Sequence, residues 1–141
     1  MGLTPFADIP GPIPFQGAVI PALSADAASV AYPIFRVPFN CKLTRVSVIP
    51  QGSVSGHASN RKNLNVINKG ASGVGTAELA NLDLVAGVDL TAFDEKPIYA
   101  PADPNSGINL TAGDVIALEV EDVGTSPAFP QLQTYLEIIA R

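Results

Sequence analysis

The sequence predicts an all-β protein, an antiparallel β-sandwich of jelly-roll character with about eight strands behind an extended proline-rich N-terminal arm. Three observations predict it. In residues 115–121, Ile116, Leu118 and Val120 alternate with Val115, Ala117, Glu119 and Glu121, the period of a strand with one buried face. Short apolar runs recur along the whole chain, separated about every 8 to 14 positions by turn residues. Almost nowhere does an apolar period of 3.6 with capping residues announce a helix.

The arm comes first. Residues 1–15 hold Pro5, Pro10, Pro12 and Pro14 with Phe6, Ile9, Ile13 and Phe15 between them. Proline continues neither a helix nor a central ladder, so this stretch is extended. Four large apolar side chains in so short a piece need a surface to cover, so the arm is expected to be ordered against its own domain or a neighbouring subunit, with Phe6, Ile9, Ile13 and Phe15 as the candidate contacts. The sandwich domain is then expected over residues 16–141.

Within that domain GAVIPAL is the first strand, and residues 24–29 are a turn or a single helical turn. VAYPIFRV and KLTRVSVI follow. Pro21 and Pro33 lie inside apolar runs, which marks these runs as edge strands or bulges. After the small-residue loop 51–60, RKNLNVIN turns Leu64 and Val66 inward, and GTAELANLDL resumes the pattern beyond the glycine-rich turn 70–75. Residues 86–107 are irregular apart from the short run PIYA. The alternating segment behaves as a central strand, and LQTYLEIIA closes the chain with Leu132, Leu136 and Ile138 on one side.

A chain of 141 residues suits one domain, able to bury about 70% of the surface its unfolded form exposes. Charged residues are only 15% of it, against about 25% in an ordinary soluble domain, which leaves a surface suited to contact. No apolar run is long enough to span a membrane, and the N-terminus lacks the pattern of a signal peptide, so a soluble, unexported protein is expected. Residues 1–70 carry Arg36, Lys42, Arg45, Arg61, Lys62 and Lys69 against Asp8 and Asp26, a net +4, whereas residues 71–141 carry a net −9. Either strands of the two halves interleave and mix the signs, or the molecule has two opposed faces.

Chemistry is hard to find in these residues. His57, two positions after Ser55, is the only histidine and so the only imidazole base for a nucleophile, and adjacency alone makes no triad. The run GASGVG leads into another β-like segment, so a hairpin turn explains it better than a phosphate cradle. Asp103, Asp114, Glu119, Glu121 and Asp122 lack the spacing of a calcium loop. The single cysteine, Cys41, reads as a small buried hydrophobe. An acidic chain whose cations lack interleaved aromatics is not expected to bind nucleic acid. No catalytic, cofactor-binding or metal-ligating residue is therefore expected, and the protein is not expected to be an enzyme.

In the order of its elements, the chain resembles the small all-β decoration (cement) and head proteins of tailed bacteriophages. The segments that carry the likeness are VPFNCKLTRVSV, LNVINKGASGVGTAELANL, VDLTAFDEKPI and LTAGDVIALEV before a final strand. The resemblance implies a virion protein, made in the host cytoplasm, that binds the major capsid protein on the outer capsid surface as a homo-oligomer, a trimer being favoured, without nucleic acid or membrane. Phe6, Ile9, Ile13 and Phe15 are then the candidate capsid or intersubunit contacts. A ligand-binding module for a glycan or receptor is the alternative, with loops 51–60 and 124–130 at one end of the sandwich as its site.

Overall fold

The structure is a computed structural model that describes residues 11–141. Nine strands make up the fold: β1 (Ile13–Ile20), β2 (Val30–Arg36), β3 (Cys41–Pro50), β4 (Arg61–Asn68), β5 (Ala77–Asp83), β6 (Lys96–Tyr99), β7 (Ile108–Leu110), β8 (Val115–Val123) and β9 (Leu132–Ala140). One sheet runs β1-β9-β3, with β6 and β7 sharing the outer edge of β3; the other runs β2-β8-β4-β5. Every pairing is antiparallel. Counted as one interrupted strand, β6 and β7 complete the four-plus-four order of a jelly roll. The interruption has a local cause. Asp103 accepts from the Asn105 amide at 2.9 Å and caps the short 3₁₀ turn Pro104–Ser106, which lifts the chain off the sheet and makes nine strands of about eight.

Alternation decides what is buried. In β8 Ile116, Leu118 and Val120 point between the sheets, and Leu64 and Val66 of β4 join them. Leu43, Val46 and Val48 of β3 face them from the other sheet with Leu132, Leu136 and Ile138 of β9, all at most 1% exposed. Each such side chain contributes about 1.5–3 kcal/mol. Three of the four strand prolines lie in edge strands, where a missing N–H does least harm, and the fourth, Pro50, is the last residue of β3. Pro14, Pro33 and Pro97 are in the edge strands β1, β2 and β6, Pro33 beside a bulge, and Pro21 directly follows β1.

The boundary of the arm needs correction. Strand β1 begins at Ile13, which pairs with Ile138, and Phe15 pairs with Leu136. Both side chains pack against the protein's own core, and Phe15 meets Phe35 of β2 with ring centroids 5.2 Å apart, closing one side of the sandwich. Ile13 and Phe15 are thus domain residues rather than free contacts of an arm, because one more antiparallel neighbour for β9 buries them. Phe6 and Ile9 lie outside the described residues.

The two halves of the chain interleave. β4 lies between β8 and β5, and β3 between β9 and β6, so Arg45 meets Glu95 at 2.9 Å and Lys62 meets Asp122 at 3.1 Å. The second pair departs from the surface pattern: Lys62 points inward and is 1% exposed. Its ammonium donates to the Ala27 carbonyl at 3.0 Å, to Asp122 Oδ1 and to Ser126 Oγ at 2.8 Å, using all three protons. The Ser126 hydroxyl in turn donates to Asp122. One buried cation thereby ties the loops around Ala27 and Ser126 to the end of the core.

Lys62→Ala should lower the stability in urea denaturation by about 2 kcal/mol, because it removes a buried side chain whose three hydrogen bonds hold the loops around Ala27 and Ser126. Ser126, and after it Lys62, holds the Asp122 carboxyl below its ordinary value of 3.8. That contribution is present above pH 3.8 and is lost as the pH falls through the lowered folded-state value. Ser126→Ala removes the larger cause, so its stability should fall less steeply with acid than that of the parent, as read from unfolding at stepped pH.

Candidate functional site

The outward residues of β1, β9 and β3 form three cross-strand rows, since neighbours in register share a face. Val19, Gln133 and Ile49 make the first, Gln16, Tyr135 and Ser47 the second, and Pro14, Glu137 and Arg45 the third. Beside β3 the turn 91–94 adds Phe93. Two adjoining grooves, about 240 and 300 Å³, run along this face with Ile49 in the wall of both. Gln51, Phe93, Gln131 and Gln133 line the first, and Arg45, Glu95, Tyr135 and Glu137 the second.

Phe93 is 78% exposed and has φ 61°, a left-handed backbone that non-glycine residues rarely hold. Its turn is fastened on three sides. The Phe93 amide donates to the Pro50 carbonyl at 2.8 Å, the Asp94 amide to the Thr91 carbonyl at 3.1 Å, and the Ala92 amide to Ser53 Oγ at 2.9 Å. An aromatic ring is thus held in solvent at the rim of a groove, on a conformation with a cost of its own.

The charges of this face are already committed. Glu95 accepts from Ser47 Oγ at 2.5 Å and Arg45 Nε at 2.9 Å, and these bonds, Ser47 first, lower its carboxyl below the ordinary range. Tyr135 donates to Glu137 at 2.8 Å, which raises its phenol. Gln133 donates to the carbonyls of Gly17 and Thr134 at 2.9 and 3.0 Å. Among the described residues the side-chain amides of Gln51 and Gln131 have no hydrogen-bond partner, and each offers both donors and an acceptor.

Loops 51–60 and 124–130 do meet at one end of the sandwich. The Thr125 amide donates to Asn60 Oδ1 at 3.0 Å, and the Gln51 amide to the Gln131 carbonyl at 2.9 Å. Gly124, at φ +66°, lies so close to Ser59 and Asn60 that a Cβ there would collide with both. His57 is part of this scaffold: its Nδ1 accepts from the amides of Ser59 at 3.1 Å and Asn60 at 2.9 Å, and it makes no bond to Ser55. Turn 70–75 joins β4 to β5 as a hairpin, with Gly70 and Gly73 at positive φ.

The acids are dispersed as well. Asp114 accepts from Asn68 and the Thr111 amide, Glu119 from Asn65, and Glu121 from Asn63 and Asn65. No three His, Cys, Asp or Glu side chains among the described residues are grouped to hold a metal ion. Cys41 is buried, and loss of hydration pushes its thiol up to about 11. Phe93 and the two unpartnered glutamines have no motif in the sequence. Only the register of β3 against β9 and the left-handed turn bring them together.

No protein-family model matches the chain, and neither does any curated protein or solved structure.

The exposed ring contributes little to folding. Phe93→Gly should therefore leave the stability in urea within about 1 kcal/mol of the parent, on the stabilising side, because glycine relieves the left-handed strain. A loss of several kcal/mol would place the ring in the core instead.

Proposed function

We propose that the protein is a structural virion protein, a decoration or cement protein that binds the outer surface of a tailed-phage capsid and stabilises the shell. The observation that carries the reading is the way the chain enters the sandwich. β1 is an edge strand, and the segment before it, with Phe6 and Ile9 among Pro5, Pro10 and Pro12, joins the jelly roll at its margin. A proline-restricted segment has less entropy to lose on docking than an ordinary chain, and its apolar residues gain by burial on a neighbouring surface. Several copies in one oligomer, a trimer being favoured, multiply that attachment. The major capsid protein is the partner in this reading, and the virion is the location.

One observation favours a second reading, a glycan- or receptor-binding module of a phage head or fibre. Loops 51–60 and 124–130 meet, and they hand Gln51 and Gln131 to the groove.

Deleting residues 1–10 spares every strand of the described residues, whereas a cut at residue 15 would remove the start of β1. The full chain should behave as an oligomer in light scattering and sediment with capsids of the phage that encodes it. The truncated chain should keep its circular dichroism and melting temperature and lose capsid binding by about tenfold or more. Unchanged sedimentation of the truncated chain, or a full chain that is monomeric and binds no capsid, would sink the proposal.

A further inference from the structure

We infer that the outer face of the β1-β9-β3 sheet is a binding site for a neutral oligosaccharide, with Phe93 as the stacking platform and Gln51 and Gln131 as the hydrogen-bonding arms. The inference rests on the second reading above, moves its site from the loop tips to the sheet face, and does not depend on capsid attachment.

A pyranose ring has one apolar face of C–H groups and a rim of hydroxyls that both donate and accept. Its binding site therefore needs an exposed ring for the face and planar groups of mixed hydrogen-bonding character for the rim. The structure supplies both within one groove. Phe93 is the most exposed aromatic side chain of the described residues, and its left-handed backbone is held by three hydrogen bonds, so the ring is positioned before any ligand arrives. Gln51 and Gln131 have unused donors and acceptors beside it. Ile49 floors the space between them and continues into the second groove, so the site has the shape of a track along β9 rather than a pit for one ring. From Gln131 to Glu137 that track is roughly 20 Å long at about 3.4 Å per residue.

Charge selects among sugars. Glu95 and Glu137 stand on this face against the single guanidinium of Arg45, which Glu95 already engages. A sialylated or sulfated chain would bring a further negative charge beside Glu95 and Glu137, and Arg45, the only cation lining the two grooves, is already paired with Glu95. Neutral hexose and N-acetylhexosamine chains carry no such penalty.

The test is the full chain on an array of neutral hexose and N-acetylhexosamine oligomers beside sialylated and sulfated ones, followed by titration of the best binder. Binding to neutral oligomers is expected, with Phe93→Ala weakening it about tenfold or more, Phe93→Trp retaining it, and Gln131→Ala weakening it without lowering the melting temperature. Binding that survives Phe93→Ala and is lost in Ser55→Lys would place the ligand at the loop tips, which keeps the ligand-binding reading and overturns this site. A preference for acidic glycans overturns it too, as does a silent array. Self-association of the parent that Phe93→Ala abolishes, without glycan binding, would assign the face to a second copy of the chain.

Discussion

The sandwich depends on the C-terminal strands. β8 and β9 are the last two strands made, yet each is hydrogen-bonded on both edges, β8 to β2 and β4, β9 to β1 and β3. Strands β1 and β2 therefore have no strand to pair with until residues 115–140 arrive, β3 and β4 pair before then only with β5, β6 and β7, and no two strands of the first half pair with each other. Pairings of such long sequence separation form slowly, because loop closure is costly before any contact rewards it. The same interleaving disposes of the charge asymmetry. A cationic half and an anionic half alternate strand by strand, so the opposed signs meet across β3 and the turn before β6, and across β4 and β8, instead of gathering on two faces.

Interleaving also fixes where a ligand could be recognised. The inward positions of β3 and β9 are fully committed to the core, which leaves only the outward rows to vary. Because β3 and β9 are central, their outward residues sit in the middle of a face, between the edge strands β1 and β6. The turn 91–94 is held at that face by two hydrogen bonds, from the Phe93 amide to the end of β3 and from the Ala92 amide to Ser53 in the loop after it, and by one bond within the turn. The exposed ring is therefore a consequence of the scaffold, one loop fastened to a strand hydrogen-bonded on both edges.

Period-two alternation made much of this legible in advance. It identifies β8 as central, turns Leu64, Val66, Leu132, Leu136 and Ile138 inward, and reads prolines as edge markers. What it missed has specific causes. Lys62 occupies an inward position of β4 that a cation would be expected to avoid, and only Asp122, Ser126 and the Ala27 carbonyl, none of them its sequence neighbour, make the burial tolerable. Thr134 is fully buried for a similar reason: a bulge in β1 turns the Ala18 carbonyl toward its hydroxyl. Ile13 and Phe15 look like parts of a proline-rich arm because prolines flank them, but proline is tolerated in an edge strand, and β1 is one. Phe93 is invisible for the opposite reason. A lone aromatic in a polar loop usually reads as a core anchor, and only its φ and exposure show that it points away.

The placement of the chain's entry relative to the platform links the two functional readings. β1 and β9 are antiparallel, so Ile13 lies beside Ile138 and Ile20 beside Leu132. The entry point of residues 1–12 is therefore at one end of this sheet, and Gln131, Gln51 and Phe93 are near the other, roughly 20 Å away along β9 at about 3.4 Å per residue. A molecule tethered by its N-terminal segment would hold the aromatic end of the groove away from the tether. Under the two proposals, attachment and recognition would make no competing demand on the same residues: apolar side chains between prolines would serve one, and a strained turn with the amides of Gln51 and Gln131 the other. A jelly roll suits this division, because its rigid interior keeps the two ends at fixed separation and lets each vary without unsettling the core.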